Sequence, residues 1–284
     1  TQFLVQDFDG DGRSEVACKT ADGTVDGQGK TIGNPASDHR GADGRVLRGP
    51  EFLTVFEGST GRELDTVPYD PPRHPLTQNP TPDQLKEIWG DGYGNRSDRF
   101  LAWAPYLDGA KPSLVFARGY YTRTVLAAWD LVQGQLKKRW VIDSAQNSDY
   151  AGQGNHGLSV GDVDGDGRDE IVYGSMTLDD DGSGLYTTKL GHGDALHLSD
   201  LDPTRPGQEI FAIHEKPRHG MAAAFRQKAL AHQRPDRRSQ IHPRDRTTRA
   251  GRGRAIDCKG ECGTPIALFE PGSDQANNTG MPVR

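Results

Sequence analysis

The sequence predicts an all-β protein, a β-propeller or a related repeat of small sheets, and three observations carry that prediction. The 284 residues include 36 glycines and 18 prolines, only 33% are hydrophobic and mean hydropathy is −0.74. Such a composition suits many turns and short strands better than long helices. An acidic loop followed by an apolar run recurs, as "DFDGDGRSEVACKT" at 7–20, "DVDGDGRDEIVYGS" at 162–175 and, relaxed, "DLDPTRPGQEIFAIHE" at 200–215. The apolar runs are short and rich in Val, Ile, Phe and Tyr, as strands are.

Taken in order, "TQFLVQ" reads as a strand entering the first acidic loop, and the apolar run after Glu15 as the strand leaving it. "EFLTVFEGSTGREL" reads as strand, Gly-containing turn and strand. A Pro-rich insertion from 68 to 94 holds one short helix in "TPDQLKEIWGDG", capped by a Thr or Asp. "PSLVFARGYYTRTVLAAWDLVQGQLKKRWV" supplies three strands with a turn near Gly134, and "HGLSVG" leads into the second acidic loop. Repeated strand pairs of this kind are the signature of propellers and similar sheet repeats.

Charge divides the chain. Residues 1–215 carry 20 Lys and Arg against 34 Asp and Glu, a net of −14, whereas residues 216–254 carry 12 against 2, a net of +10. The acidic body suits cation binding and disfavours nucleic acid. Two regions are therefore expected: 1–215 as the β domain, and 216–284 as a divergent basic segment that is either solvated and disordered or altered sequence. A nucleic-acid arm fits less well, because "RQKALAHQRPDRRSQIHPRDRTTRAGRGR" lacks aromatic residues for base stacking. Cys18, Cys258 and Cys262 are too few for a disulfide scaffold, though the last two are close enough in sequence to bridge. No run of 18 apolar residues exists, so no transmembrane helix is expected. The sequence starts inside a strand pattern without Met or a signal-like segment, so the true N-terminus is expected upstream.

In the first two acidic loops carboxylates fall at positions one, three and five, with Gly at six and Glu at nine. Asp7, Asp9, Asp11 and Glu15 form one set; Asp162, Asp164, Asp166 and Glu170 form the other. Alternate carboxylates folded around a glycine turn converge on a hard cation, and Ca²⁺ favours several oxygen ligands. The EF-hand differs, with a Glu at position twelve and flanking helices. Asx-turns without metal would use the same residues. The third loop keeps Asp200, Asp202 and Glu209 but puts Pro203 and Pro206 among them.

His156 precedes one repeat, and His192 and Asp194 precede the next. If equivalent positions face the same end of the fold, these side chains converge, and Glu215, at the end of the following apolar run, joins them. Each is equally at home as a hydrogen-bonded turn residue. His197 alternates into a strand and reads as scaffold. "ARGYYTR" supplies Arg118, Tyr120, Tyr121 and Arg123, suited to an acidic sugar through charge and ring stacking, or simply to an exposed strand.

Several long segments in order, "DFDGDGRSEVACKTADGTVDG", "GPEFLTVFEGSTG", "WGDGYGNRSDRFLA", "RGYYTRTVLAAWD", "YAGQGNHGLSVGDVDGDGRDEIVYG" and "LGHGDALHLSDLDP", resemble the rhamnogalacturonan lyases of polysaccharide lyase family 11. The resemblance runs from residue 1 to about 215. It implies an eight-bladed β-propeller, of which this chain covers part, holding Ca²⁺ and cleaving rhamnose–galacturonate bonds of the pectin rhamnogalacturonan I backbone by β-elimination. By the same resemblance His156, His192 and Asp194 belong to the catalytic cleft and its calcium, Glu215 is a further ligand, and Arg252 matches a cleft arginine. Expected accordingly are a secreted monomer and a polysaccharide partner, with neither nucleic acid nor membrane. The competing expectation is a non-catalytic, calcium-stabilised propeller that binds polysaccharide or protein.

Overall fold

A computed structural model describes residues 2–204, 207–215 and 223–226. Its strands form four consecutive antiparallel sheets, each built from neighbours in sequence. Sheet I begins with β1 (Phe3–Gln6) and β2 (Glu15–Thr20); after a small ribbon of β3 (Thr24–Val25) and β4 (Thr31–Ile32) it is completed by β5 (Phe52–Glu57) and β6 (Glu63–Pro68). Helix α1 (Pro82–Trp89) intervenes. Sheet II is β7 (Phe100–Trp103), β8 (Leu114–Arg118), β9 (Val125–Val132) and β10 (Gln135–Asp143). Sheet III is β11 (Ser159–Gly161), β12 (Glu170–Tyr173), β13 (Met176–Leu178) and β14 (Gly184–Thr187), and sheet IV is β15 (Gly193–Ser199), β16 (Glu209–His214) and β17 (Ala223–Arg226).

The side-chain period of two explains how the sheets stack. Along β8, Leu114 and Phe116 join Leu4, Ala17, Leu53 and Val55 of sheet I, while Val115 and Ala117 face Ile171, Tyr173, Met176 and Leu178 of sheet III. On β12, Val172 turns the other way, to Leu196, Ile210 and Ala212 of sheet IV. Sheets II and III are thus apolar on both faces, so their inner strands are continuous hydrophobic runs without polar alternation. Helix α1 starts with a capping box between Thr81 and Gln84 and ends at Gly90, with φ 95°. Its buried Trp89 donates from Nε1 to the Arg73 carbonyl at 2.8 Å.

The strands, the turn near Gly134 and the Thr-capped helix follow the sequence-based expectation. Inside the basic segment the four residues of β17, Ala223 to Arg226, pair with β16. Arg252, Cys258, Cys262 and the remainder of 216–284 lie outside the described residues. Among the described residues, no helix is long and apolar enough to cross a membrane.

Candidate functional site

Antiparallel connection sorts the predicted residues onto two ends of the sheets. The three acidic loops join the first and second strands of sheets I, III and IV. His156 lies just before the first strand of sheet III; His192 lies just before the first strand of sheet IV, which carries Asp194; Glu215 follows the second strand of sheet IV; Tyr120 and Tyr121 follow the second strand of sheet II. The acidic loops therefore gather at one end and the histidines at the other. The segment "GHGDALHLSDLD" divides accordingly, with β15 between its two halves.

At the histidine end, ligand atoms of His156, His192, Asp194 and Glu215 lie within 4.8 Å of one another. Backbone contacts bring them there. Asn155 bridges in parallel to Gly193, its side-chain amide donates to the Ala195 carbonyl at 3.3 Å, His156 N–H donates to the Asp194 carbonyl at 3.2 Å, and Glu215 N–H to the His192 carbonyl at 3.3 Å. Gly193 permits this closeness, since a Cβ there would sit 1.8 Å from the Ile213 carbonyl oxygen.

The two histidines differ. His192 is buried, with Nδ1 only 2.6 Å from the Gly154 carbonyl. A carbonyl only accepts, so Nδ1 carries the proton and Nε2 presents a lone pair. That Nε2 is buried with no hydrogen-bond partner and lies 3.8 Å from Glu215 Oε1. Burial, ahead of the opposing pull of the Gly154 bond and Glu215, lowers its pKa and keeps the ring neutral. An orphaned imidazole nitrogen facing carboxylates, oriented by a backbone carbonyl behind it, is a metal-ligand arrangement. His156 is more open: Tyr120 Oη is 3.0 Å from its Nδ1, Tyr121 Oη is 3.4 Å from its Nε2, and Asp194 Oδ1 is 3.8 Å from Nε2. Tyr120 also stacks on His192, centroids 5.1 Å apart and planes 8° apart. Burial raises the Tyr120 pKa, keeping the phenol protonated.

At the other end, two acidic loops repeat one geometry. Asp7 Oδ1 accepts from Gly10 N–H at 2.7 Å and its Oδ2 from Gly12 N–H at 2.9 Å; Asp162 does the same with Gly165 at 2.7 Å and Gly167 at 3.0 Å. Glu15 and Glu170 reach back to Phe8 N–H at 2.9 Å and Val163 N–H at 2.6 Å. Asp7, Asp9 and Glu15 converge, as do Asp162, Asp164 and Glu170. Asp11 and Asp166 stand outside these groups; each instead accepts a backbone N–H, from Arg13 and Arg168. Burial, with the neighbouring aspartates adding to it, pushes Glu170 up to about 8 and raises Glu15 also. Glu170 Oε1 is buried without a hydrogen-bond partner. Mutually repelling oxygen donors with one orphaned oxygen fit a hard divalent cation. In the third loop Glu209 keeps its reach-back, to Leu201 and Asp202 N–H at 2.9 and 3.1 Å, but Asp200, Asp202 and Glu209 form no such converging group among the described residues. In sequence Pro203 takes the place of the first turn glycine, and Arg205 and Pro206 lie outside the described residues.

Arg118 is corrected by the structure. It is fully buried, donating from Nη1 to Glu51 at 2.8 Å and from Nε to the Ser97 carbonyl at 2.6 Å, so it is a core ion pair and touches no sugar. Arg123 forms a bidentate fork on Asp143 at 3.0 and 2.6 Å and lies over the Trp89 ring, yet with Tyr121 it lines a cavity of about 400 Å³. His197 is exposed on β15 and joins neither end's cluster. Sequence reasoning missed Arg96 and Arg99, whose guanidinium carbons sit 5.3 and 5.6 Å from the Tyr121 ring centroid; two arginines three apart in an insertion carry no periodic signal.

The model of rhamnogalacturonan lyase family 11, C-terminal domain, matches residues 1–262. The chain belongs to rhamnogalacturonan lyase family 11. Within that family it is similar to the rhamnogalacturonan exolyase YesX of Bacillus subtilis (strain 168), 62% identical over 217 residues, 76% of this chain and 34% of the relative. It is 55% identical to the rhamnogalacturonan endolyase YesW of the same organism over 231 residues, 81% of this chain and 36% of the relative. A solved structure, the Bacillus licheniformis rhamnogalacturonan lyase PL11, superposes with a TM-score of 0.72 at 57% identity, covering 78% of this chain and 37% of that one. The chain thus spans about a third of the length of the curated family 11 relatives it matches.

Proposed function

We propose that this chain carries the metal-assisted catalytic end of a rhamnogalacturonan lyase, which breaks rhamnose–galacturonate bonds of rhamnogalacturonan I by β-elimination with Ca²⁺ as cofactor. The observation that carries it is the convergence of His156, His192, Asp194 and Glu215 beside Tyr120 and Tyr121; the names of the relatives support the substrate class. His192 Nε2, Asp194 and Glu215 would hold the ion, which when bound neutralises the uronate carboxylate and makes the C5 proton easier to remove. His156, between two phenols, is the group suited to moving a proton. Tyr120, kept protonated, can donate a hydrogen bond to it or to a departing oxygen.

The same proposal takes the four sheets as consecutive blades of a β-propeller, since each is a short antiparallel meander stacked on the next. The acidic loops at the opposite end would hold structural Ca²⁺. A polymeric substrate places the action outside the cell, with the protein working as a secreted monomer.

The test is absorbance of a 4,5-unsaturated uronate when the full-length protein meets rhamnogalacturonan I. Chelation and His192→Ala are each expected to abolish product while the fold, followed by circular dichroism, persists. Tight polymer binding without unsaturated product would instead identify a non-catalytic binding protein.

A further inference from the structure

Beside the histidine end lies a second cavity, of about 380 Å³, lined by Arg45, Tyr93, Asn95, Asp98 and Arg99 among others. Arg99 connects it to the cluster already described, because its guanidinium carbon is 6.0 Å from the Tyr120 ring centroid and 5.6 Å from that of Tyr121. Asn95 holds that guanidinium, accepting from Nε through its carbonyl at 2.7 Å and from Nη2 through its side chain. Arg45 lies over the Tyr93 ring at 5.7 Å and donates from Nη1 to the Tyr93 carbonyl at 3.3 Å.

The charge of this cavity is positive. Asp98, the acid among the named residues, is answered from behind by buried Arg118 at 3.3 Å and Arg73 at 3.8 Å. Asp43 accepts the Arg45 backbone N–H at 3.1 Å, and its ion pair with the Arg45 guanidinium is an exposed one at 3.7 Å, worth little in water. The loop is also rigidly held: buried Asp91 accepts from the N–H groups of Tyr93 at 3.1 Å, Gly94 at 3.0 Å and Arg96 at 2.8 Å. Two guanidinium groups, that of Arg99 held in place by Asn95 through Nε and Nη2, and an exposed tyrosine ring, in a chain whose residues 1–215 carry a net of −14, form a local exception suited to one kind of group. Arginine matches a carboxylate bidentately, and a tyrosine face stacks on a pyranose ring.

We propose that Arg45, Tyr93 and Arg99 form a subsite for the carboxylate of a uronic acid residue neighbouring the one at the histidine cluster, so that an acidic polysaccharide is gripped at two carboxylates at once. The identity of the polymer rests on the lyase reading; the carboxylate requirement does not. In a backbone that alternates rhamnose and galacturonate, carboxylates recur on every second sugar, so a second grip sets register as well as affinity.

The test measures affinity for rhamnogalacturonan I and for the same polymer with its uronic acids reduced to neutral sugars, by calorimetry with saturating Ca²⁺. Arg45→Gln is expected to weaken binding of the acidic polymer about tenfold and to leave binding of the reduced polymer unchanged; Arg45→Lys falls between, and Tyr93→Ala weakens both. Unchanged thermal melting shows that the variants fold. Equal affinity of Arg45→Gln and the parent for the acidic polymer overturns the subsite, as does an equal loss on both polymers. Absence of unsaturated product alongside a carboxylate-selective loss in Arg45→Gln would overturn the lyase reading and keep the subsite. A parent protein that binds neither polymer overturns both.

Discussion

At Gly154 a Cβ atom would come within 2.7 Å of Tyr120 Cβ and 2.8 Å of Tyr173 Cζ, and the carbonyl of this same residue fixes the His192 ring. Space and ligand orientation thus meet in one glycine. Gly154→Ala must push that carbonyl away from its neighbours, at about 1–3 kcal/mol of stability. It is expected to lower metal affinity at the histidine cluster about 10–100-fold, the usual effect of disturbing a group that orients a ligand. Calcium titration of the variant, set against its thermal melt, checks this; an unchanged affinity would mean that the Gly154 carbonyl does not matter to the site.

The turn geometry of the first two acidic loops is legible in the sequence because it is local: an aspartate caps the next turn, glycines supply positive φ at Gly165 and Gly167, and a glutamate reaches back. The histidine cluster was harder to read. His156 and His192 are 36 positions apart, and only strand order shows that the start of one sheet's first strand borders the start of the next. Arg118 misled for a related reason. β8 is covered on both faces, so "LVFAR" has no alternation to show which way the arginine points, and its burial follows from a partner, Glu51, 67 positions away. At this scale the loops yield a prediction with a sign change. In Ca²⁺, Glu170→Gln is expected to lower the melting temperature, by the equivalent of about 3 kcal/mol if the site is saturated a hundredfold over its Kd. In chelator the variant is expected to match the parent at neutral pH and to exceed it above pH 8, where Glu170, pushed up to about 8 by burial, would otherwise ionise beside Asp162 and Asp164. Paired melts with and without chelator measure both signs.

Across the whole molecule, sheets I and II are tied by Glu51, which meets Arg118 and Arg73 at 2.8 Å each and Lys19 at 3.1 Å. Burial alone would raise the Glu51 pKa, but these cations outweigh it and hold it at about 2, below the ordinary 4.5. Because the folded-state value is depressed, the stabilisation is complete above about pH 4.5 and is lost as pH falls towards 2. The difference is on the order of 3 kcal/mol. Glu51→Gln is expected to destabilise by about 3–5 kcal/mol at neutral pH, since it strands buried guanidinium charge, and to flatten the acid limb of the unfolding curve. Denaturant titrations from pH 7 to pH 2 record both effects, and parallel acid limbs in parent and variant would count against the pairing.

The seven residues of β15 separate the histidine cluster from the acidic-loop end of the sheets by roughly 20 Å, more than two Debye lengths at physiological salt. An ion bound at one end would therefore act on the other chiefly through the stiffness of the sheet. On the lyase reading, replacing the second acidic loop with a cation-free turn should change the protein's melting temperature in calcium without changing product formation at the histidine cluster.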